Sequence, residues 1–151
     1  QHTEVGFNYR MSNITAGLGL GQLARFPDLL AGRRRVRELY AAAFAARDDI
    51  RILGRTSGDH EDNCWLTTIV VAGGQFDPMV AIDALKKDGI EARHLWKPMH
   101  LQPIFSDARS YRTGVADELF ATGLNLPSTS SLTDQQVHTV ADAVLRAVDA
   151  Q

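Results

Sequence analysis

The run CWLTTIVV at 64–71 constrains this chain more than any other stretch. It is rich in β-branched and aromatic residues. Turn signals bracket it, with RTSGDHEDN at 55–63 before it and Gly73 and Gly74 after it. That pattern predicts a strand. Asp77 followed by Pro78 then predicts a helix start, with Val80, Ala81, Ala84 and Leu85 inward and Gly89 as the stop. Residues 90–95 predict a second strand. So short a strand–helix–strand alternation has to bury its apolar faces in layers, with helices laid on a sheet.

The flanking segments supply those helices. Ser12 and Asn13 are N-cap residues for a helix carrying Ile14, Leu18 and Leu23. Gly17, Gly19 and Gly21 interrupt it at roughly 1 kcal/mol each relative to Ala, a cost that implies close approach of another backbone. Pro27 opens a second helix with Leu29, Val36, Leu39, Tyr40, Ala43 and Phe44 as its apolar stripe. Arg33, Arg34, Arg35 and Arg37 on that helix read as a solvated face. Residues 96–115 are irregular, 117–122 form a short helix ended by Gly123, and LNLPSTSSL at 124–132 is a loop or short strand. Thr133 and Gln136 make a capping box for a last helix lined by Val137, Val140, Ala141, Val144, Leu145 and Val148. The predicted fold is α/β, a small sheet with helices packed on one face.

Charge and cysteine content exclude several functions. The 16 Lys and Arg against 18 Asp and Glu give a net charge of −2, without the basic excess of a nucleic-acid binder. The single cysteine, Cys64, forms no intrachain disulfide and no cysteine zinc cluster, which fits a reducing cytoplasm. No apolar run reaches membrane-span length. The first residue is Gln1, so the chain is expected to begin inside a longer polypeptide or after trimming.

None of the five histidines has metal-ligand spacing. His138 reads as structural, and His60, among Asp59, Glu61 and Asp62, as part of a solvated turn. Two stretches stand out. EARHLWKPMHLQPIF at 91–105 packs Arg93, His94, Trp96, Lys97, His100 and Gln102 between prolines, and cations beside an aromatic suit a phosphorylated or planar ligand. GFNYRMSN at 6–13 sets Asn8, Tyr9 and Arg10 just ahead of a helix N-terminus, where amides and dipole favour anions.

Together these stretches resemble a known family. GFNYRMSNITAGLGLGQL resembles the G-Y-N-Y-R-M-S-N-x-x-A-A-x-G-x-x-Q-L segment of the DegT/DnrJ/EryC1/StrS sugar aminotransferases. EARHLWKPMHLQP resembles E-S-R-P-L-W-K-P-M-H-L-Q-P of the branch that aminates UDP-4-keto-6-deoxy-N-acetylhexosamines, with His94 standing where that branch has Pro. GLNLPSTSSLTDQQVHTVADAV resembles the closing motif G-x-x-L-P-S-G-x-x-L-T-x-x-x-x-x-V.

The resemblance implies the C-terminal domain of a fold-type I pyridoxal-phosphate transferase, spanning 1–151. Residues 1–50 would join it to a separate cofactor domain, and 51–151 would form the small α/β domain. The Schiff-base lysine would lie upstream, so Lys86, Lys87 and Lys97 match no catalytic position and the chain alone would be inactive. Asn8 would bond the cofactor phosphate of a partner subunit, with Tyr9 beside it. Arg10, Arg93, His94, Trp96, Lys97 and His100 would contact the nucleotide sugar. The implied protein is a cytoplasmic homodimer with shared active sites and an amino donor, glutamate. Two other readings stay open: a dehydratase or deaminase on the same scaffold, and a non-catalytic module for dimerisation or nucleotide-sugar binding.

Overall fold

A computed structural model describes residues 6–54, 62–73 and 75–151. Among the described residues are five α-helices and a four-stranded sheet. The helices are α1 (Asn13–Ala24), α2 (Phe26–Ala43), α3 (Pro78–Lys87), α4 (Val115–Thr122) and α5 (Asp134–Asp149). The strands are β1 (Ile50–Ile52), β2 (Thr67–Val71), β3 (Arg93–His94) and β4 (Gly123–Leu126). The spatial order is β1-β2-β4-β3 with every pairing antiparallel.

Register explains which face is apolar. Ile50 pairs Val71, Ile52 pairs Ile69, and Ile69 pairs Leu124, which sets these side chains on one face with Leu126. Val36, Tyr40 and Phe44 of the α2 region, Ala81 and Leu85 of α3, and Val137, Val140 and Val144 of α5 fill the same cluster. The expected sheet with helices on one face is therefore the observed fold.

Local chemistry fixes the helix ends. The Thr133 hydroxyl accepts from Gln136 N–H while the Gln136 side chain returns to the Thr133 N–H, closing the capping box at α5. The Asp77 carboxylate accepts from Met79 N–H at 2.8 Å to start α3. Ser12 caps α1 through Thr15 N–H. α1 buries no residue: Ile14, Leu18 and Leu23 are all more than two-thirds exposed, and a Cβ on Gly17, Gly19 or Gly21 would meet nothing within 4 Å. Whatever backbone those glycines admit does not belong to the described part of this chain. Among the described residues no helix is long and apolar enough to cross a membrane.

Four expectations change. The strand predicted at 90–95 shrinks to Arg93–His94 at the sheet edge. The strand predicted from Cys64 starts at Thr67. His138 is exposed on α5 rather than structural. The α2 arginines are not a free solvated face: Arg33 donates to Trp65 O at 2.6 Å, Arg35 pairs with Asp134, and Arg37 is buried against Asp62, Cys64 Sγ and Leu53 O. Each lies on the α2 turn that meets the α5 start or the segment before β2, so the helix clasps both. His60 and most of the 55–63 turn lie outside the described residues.

α4 runs into β4 with no intervening turn, and Gly123 permits it. A Cβ there would lie 2.5 Å from Leu119 O and 2.6 Å from Leu95 Cδ1. Gly123→Ala is therefore expected to cost about 1–3 kcal/mol by overpacking. A urea midpoint equal to that of the parent chain would show that Leu95 yields freely.

Candidate functional site

β3 and β4 carry the first part of the site. Arg93 pairs Asn125 and His94 pairs Leu124. The buried Asn125 accepts from the Thr68 hydroxyl at 2.6 Å and donates to His94 O at 3.3 Å, tying β3 to the centre of the sheet. The His94 ring rests 4.2 Å from the Phe120 ring centroid. Its Nδ1 lies 3.1 Å from Leu95 O. A carbonyl only accepts, so Nδ1 is the donor in that contact and Nε2 is the ring nitrogen left for a ligand.

Past β4 the chain turns through Pro127 and Ser128. The buried Ser128 hydroxyl donates to Leu126 O and accepts from Thr67 N–H, both at 2.7 Å. Between this turn, β3 and the start of α5 lies a cavity of about 700 Å³. Arg93, His94 and Trp96 line it, together with Trp65, Ser128 and Thr139. That volume lies within the range of small-molecule sites, ~300–1,000 Å³. Among the described residues Arg93 pairs with its neighbour Glu91, both side chains about three-quarters exposed. A pair so open to water contributes little, so a ligand phosphate can draw the guanidinium away.

Trp65 is the residue that sequence reading missed. The sequence places it in a predicted strand and gives it no ligand role. In the structure it precedes β2, is 58% exposed, and stacks on Trp96 with ring centroids 6.0 Å apart and planes 29° from parallel. Its main chain is held on both sides: its N–H donates to Asn63 Oδ1 at 3.0 Å, and its carbonyl accepts from Arg33. Cys64 just before it has φ 50°, a left-handed conformation that non-glycine residues adopt at a cost. The Asp62 and Asn63 side chains capping their own backbone were the available signal.

His100 belongs elsewhere. It lines a second cavity of about 310 Å³ with Met99, Phe105 and Arg109, and its Nε2 lies 2.8 Å from Asp117 Oδ1 on α4. Lys97 is exposed and lines neither cavity. Asn8, Tyr9 and Arg10 form a third group on the extended segment before α1 and also line neither. Asn8 Oδ1 accepts from Arg10 N–H at 3.0 Å, which leaves the side-chain amide nitrogen as its donor. Tyr9 is 89% exposed, and Phe7, Met11 and the apolar residues of α1 continue that exposed surface.

A small antiparallel sheet under three helices bears an arginine, a histidine and two indoles around a cavity of small-molecule size. A profile of the DegT/DnrJ/EryC1/StrS aminotransferase family matches residues 1–145, and the chain belongs to that family. The family's cofactor is pyridoxal phosphate. Over 96% of its length the chain is 38% identical to the pyridoxal phosphate-dependent aminotransferase EpsN of Bacillus subtilis, of which it covers 38%. It is 34% identical to GDP-perosamine synthase of Caulobacter vibrioides, again covering 38% of that protein. The sugar aminotransferase Spr1654 of Streptococcus pneumoniae superposes with a TM-score of 0.82 at 25% identity, over 93% of this chain and 36% of that one. Helicobacter pylori PseC, at 23% identity, shares the fold with a TM-score of 0.88 over all of this chain and 41% of its own. The chain thus spans about two-fifths of the length of the relatives it matches.

The residues present fit one part of that cofactor. The Asn8 amide donor suits its phosphate. The three lysines, Lys86, Lys87 and Lys97, are all exposed and line neither cavity.

Proposed function

We propose that residues 1–151 are the C-terminal domain of a pyridoxal-phosphate aminotransferase that moves an amino group, from glutamate, onto a UDP-linked 4-keto-6-deoxy-N-acetylhexosamine. The similarity to EpsN over nearly the whole chain carries this reading, together with the cavity that Arg93, His94 and Trp96 line. The enzyme is read as a cytoplasmic homodimer. The exposed apolar surface of α1 and the segment before it supports a subunit or domain contact there. The cofactor supplies the electron sink for amino transfer, and the amine that anchors it comes from chain upstream of Asn8.

This chain's residues bind and orient. Asn8 donates its amide to the cofactor phosphate of the partner subunit, with Tyr9 alongside. Arg10 meets the substrate diphosphate through its planar fork. Arg93 takes a phosphate oxygen, and His94 offers Nε2 to a sugar hydroxyl.

Glutamate-dependent release of 2-oxoglutarate by the full-length enzyme, in the presence of the UDP-4-keto sugar, tests the function. No release with that sugar refutes it. The identity to GDP-perosamine synthase favours a second reading, in which a GDP-linked keto sugar is the acceptor. Release with the GDP sugar alone selects it. In the same enzyme Asn8→Ala is expected to weaken cofactor retention by about 1.5–3 kcal/mol, the value of a charge-assisted hydrogen bond. Cofactor affinity unchanged in equilibrium dialysis would remove Asn8 from the phosphate.

A further inference from the structure

We infer that Trp65 and Trp96 form a stacking platform for the nucleobase of the nucleotide ligand, and that Trp65, which the sequence places in a strand-like run and not among the candidate ligand contacts, is a nucleotide-binding residue of the site. The inference rests on the nucleotide-sugar reading above and deepens it.

Three observations carry it. Both indoles are more than half exposed, 58% for Trp65 and 68% for Trp96, yet they lie against each other and border the large cavity. Two adjacent indoles held in water expose a large apolar area without burying it. Next, the chain holds Trp65 in place at a cost. Cys64 adopts a left-handed φ of 50°, Asn63 bonds the Trp65 N–H, and Arg33 reaches from α2 to the Trp65 carbonyl. A side chain that served only as surface would need none of these. Finally, the neighbouring groups suit a nucleotide. Arg93, in a solvent-screened pair, is available to a phosphate, while on the cavity wall Gln136, whose Oε1 serves the Thr133 cap, offers its amide N–H, and Thr139, whose hydroxyl donates to Gln135 O, offers an acceptor to a base edge.

The geometry selects a planar ring. The planes are 29° from parallel with centroids 6.0 Å apart, an offset stack of two rings that are each more than half exposed. A base continues that stack on an outer face. Every base has a π-face, so the platform provides affinity for the nucleotide portion, and the polar wall supplies discrimination.

The chain contains two tryptophans, and both belong to the platform, so tryptophan emission, excited selectively over tyrosine, reports on this site alone. The test titrates the 151-residue chain with four ligands: UMP, UDP-N-acetylglucosamine, ribose 5-phosphate and N-acetylglucosamine 1-phosphate. UMP and UDP-N-acetylglucosamine are expected to quench the emission saturably, and the two base-free phosphates to leave it unchanged. By calorimetry Trp96→Ala and Trp65→Ala should each weaken UMP binding by about 5- to 100-fold, the span of single-base stacking on an aromatic side chain, while Trp96→Phe retains most of it. Both positions are exposed, so neither truncation opens the core. Quenching by N-acetylglucosamine 1-phosphate equal to that by UMP would mean that the sugar stacks, and would overturn the inference. UDP-N-acetylglucosamine binding that survives both alanine variants would overturn the platform and leave the nucleotide-sugar reading intact. No nucleotide binding at millimolar concentration would overturn the platform, while 2-oxoglutarate release by the full-length enzyme would still judge the function.

Discussion

Tyr40→Ala is expected to destabilise the chain by about 3–5 kcal/mol, the range for a large aromatic removed from a close-packed core. Tyr40 is fully buried, stacks on Phe44 with centroids 6.1 Å apart, and donates its hydroxyl to Pro127 O at 3.0 Å. Burial pushes the phenol pKa upward, so the donor stays protonated across the working range. The hydroxyl bond reaches the same turn that Ser128 pins, so the loss would also loosen the cavity wall. Tyr40→Phe isolates that bond and should cost about 1 kcal/mol. Urea midpoints separate the two. An alanine variant that loses less than the phenylalanine variant would contradict the core assignment.

Arg37→Ala is expected to cost about 3 kcal/mol, the low end for breaking a buried ion pair, because the Asp62 carboxylate is 37% exposed and regains water. Arg37 is 5% exposed and bonds Asp62, Cys64 Sγ and Leu53 O. Burial alone would lower its pKa, but the bonds to Cys64 and Asp62 outweigh that and raise it. It stays charged throughout. The titrating partner is Asp62, whose pKa is held down first by the Arg37 hydrogen bond and then by the Cys64 N–H. Asp49, held down by Arg47, titrates the same way. A depressed carboxyl contributes its stability in full above the unfolded value, about 3.9, and loses it as pH falls through the lower folded value. The parent midpoint should therefore fall between pH 5 and pH 2. Arg37→Ala should flatten that fall in part, since Asp49 remains. An equal acid slope in both proteins would remove Asp62 as a contributor.

The elements legible in the sequence were those whose signals are local. The Thr133–Gln136 box, the Asp77–Pro78 start and the stripe of α5 depend on residues three or four apart, and the structure has them where they were read. The elements that were hard to read depend on distant partners. β1 has three residues and exists because Ile50 and Ile52 find Val71 and Ile69. β4 has a glycine and an asparagine in four positions, composition that disfavours a strand, yet all four residues are buried. Gly123 is there to admit Leu95, and Asn125 to bond Thr68 and His94 O. The arginines of α2 read as solvent-facing because their acceptors are as far as 99 positions away, as for Arg35 and Asp134.

The same division runs through the site. The cluster at 93–100 was visible because its unusual residues are contiguous. Its division between two cavities was not, because Pro98 and the 3₁₀ turns Met99–Leu101 and Pro103–Phe105 carry His100 away toward α4. Trp65 was hidden by a strand-like pattern that the Cys64 turn interrupts.

The central claim is that this chain supplies ligand-binding groups while the lysine that anchors the cofactor lies in another part of the protein. Borohydride trapping tests it most directly. The chain is incubated with pyridoxal phosphate and reduced, and its intact mass and labelled sites are read. No adduct, or low-level labelling scattered over Lys86, Lys87 and Lys97, is the predicted result. A stoichiometric adduct on one lysine, such as Lys97, would show that the chain builds its own cofactor site and would contradict the claim.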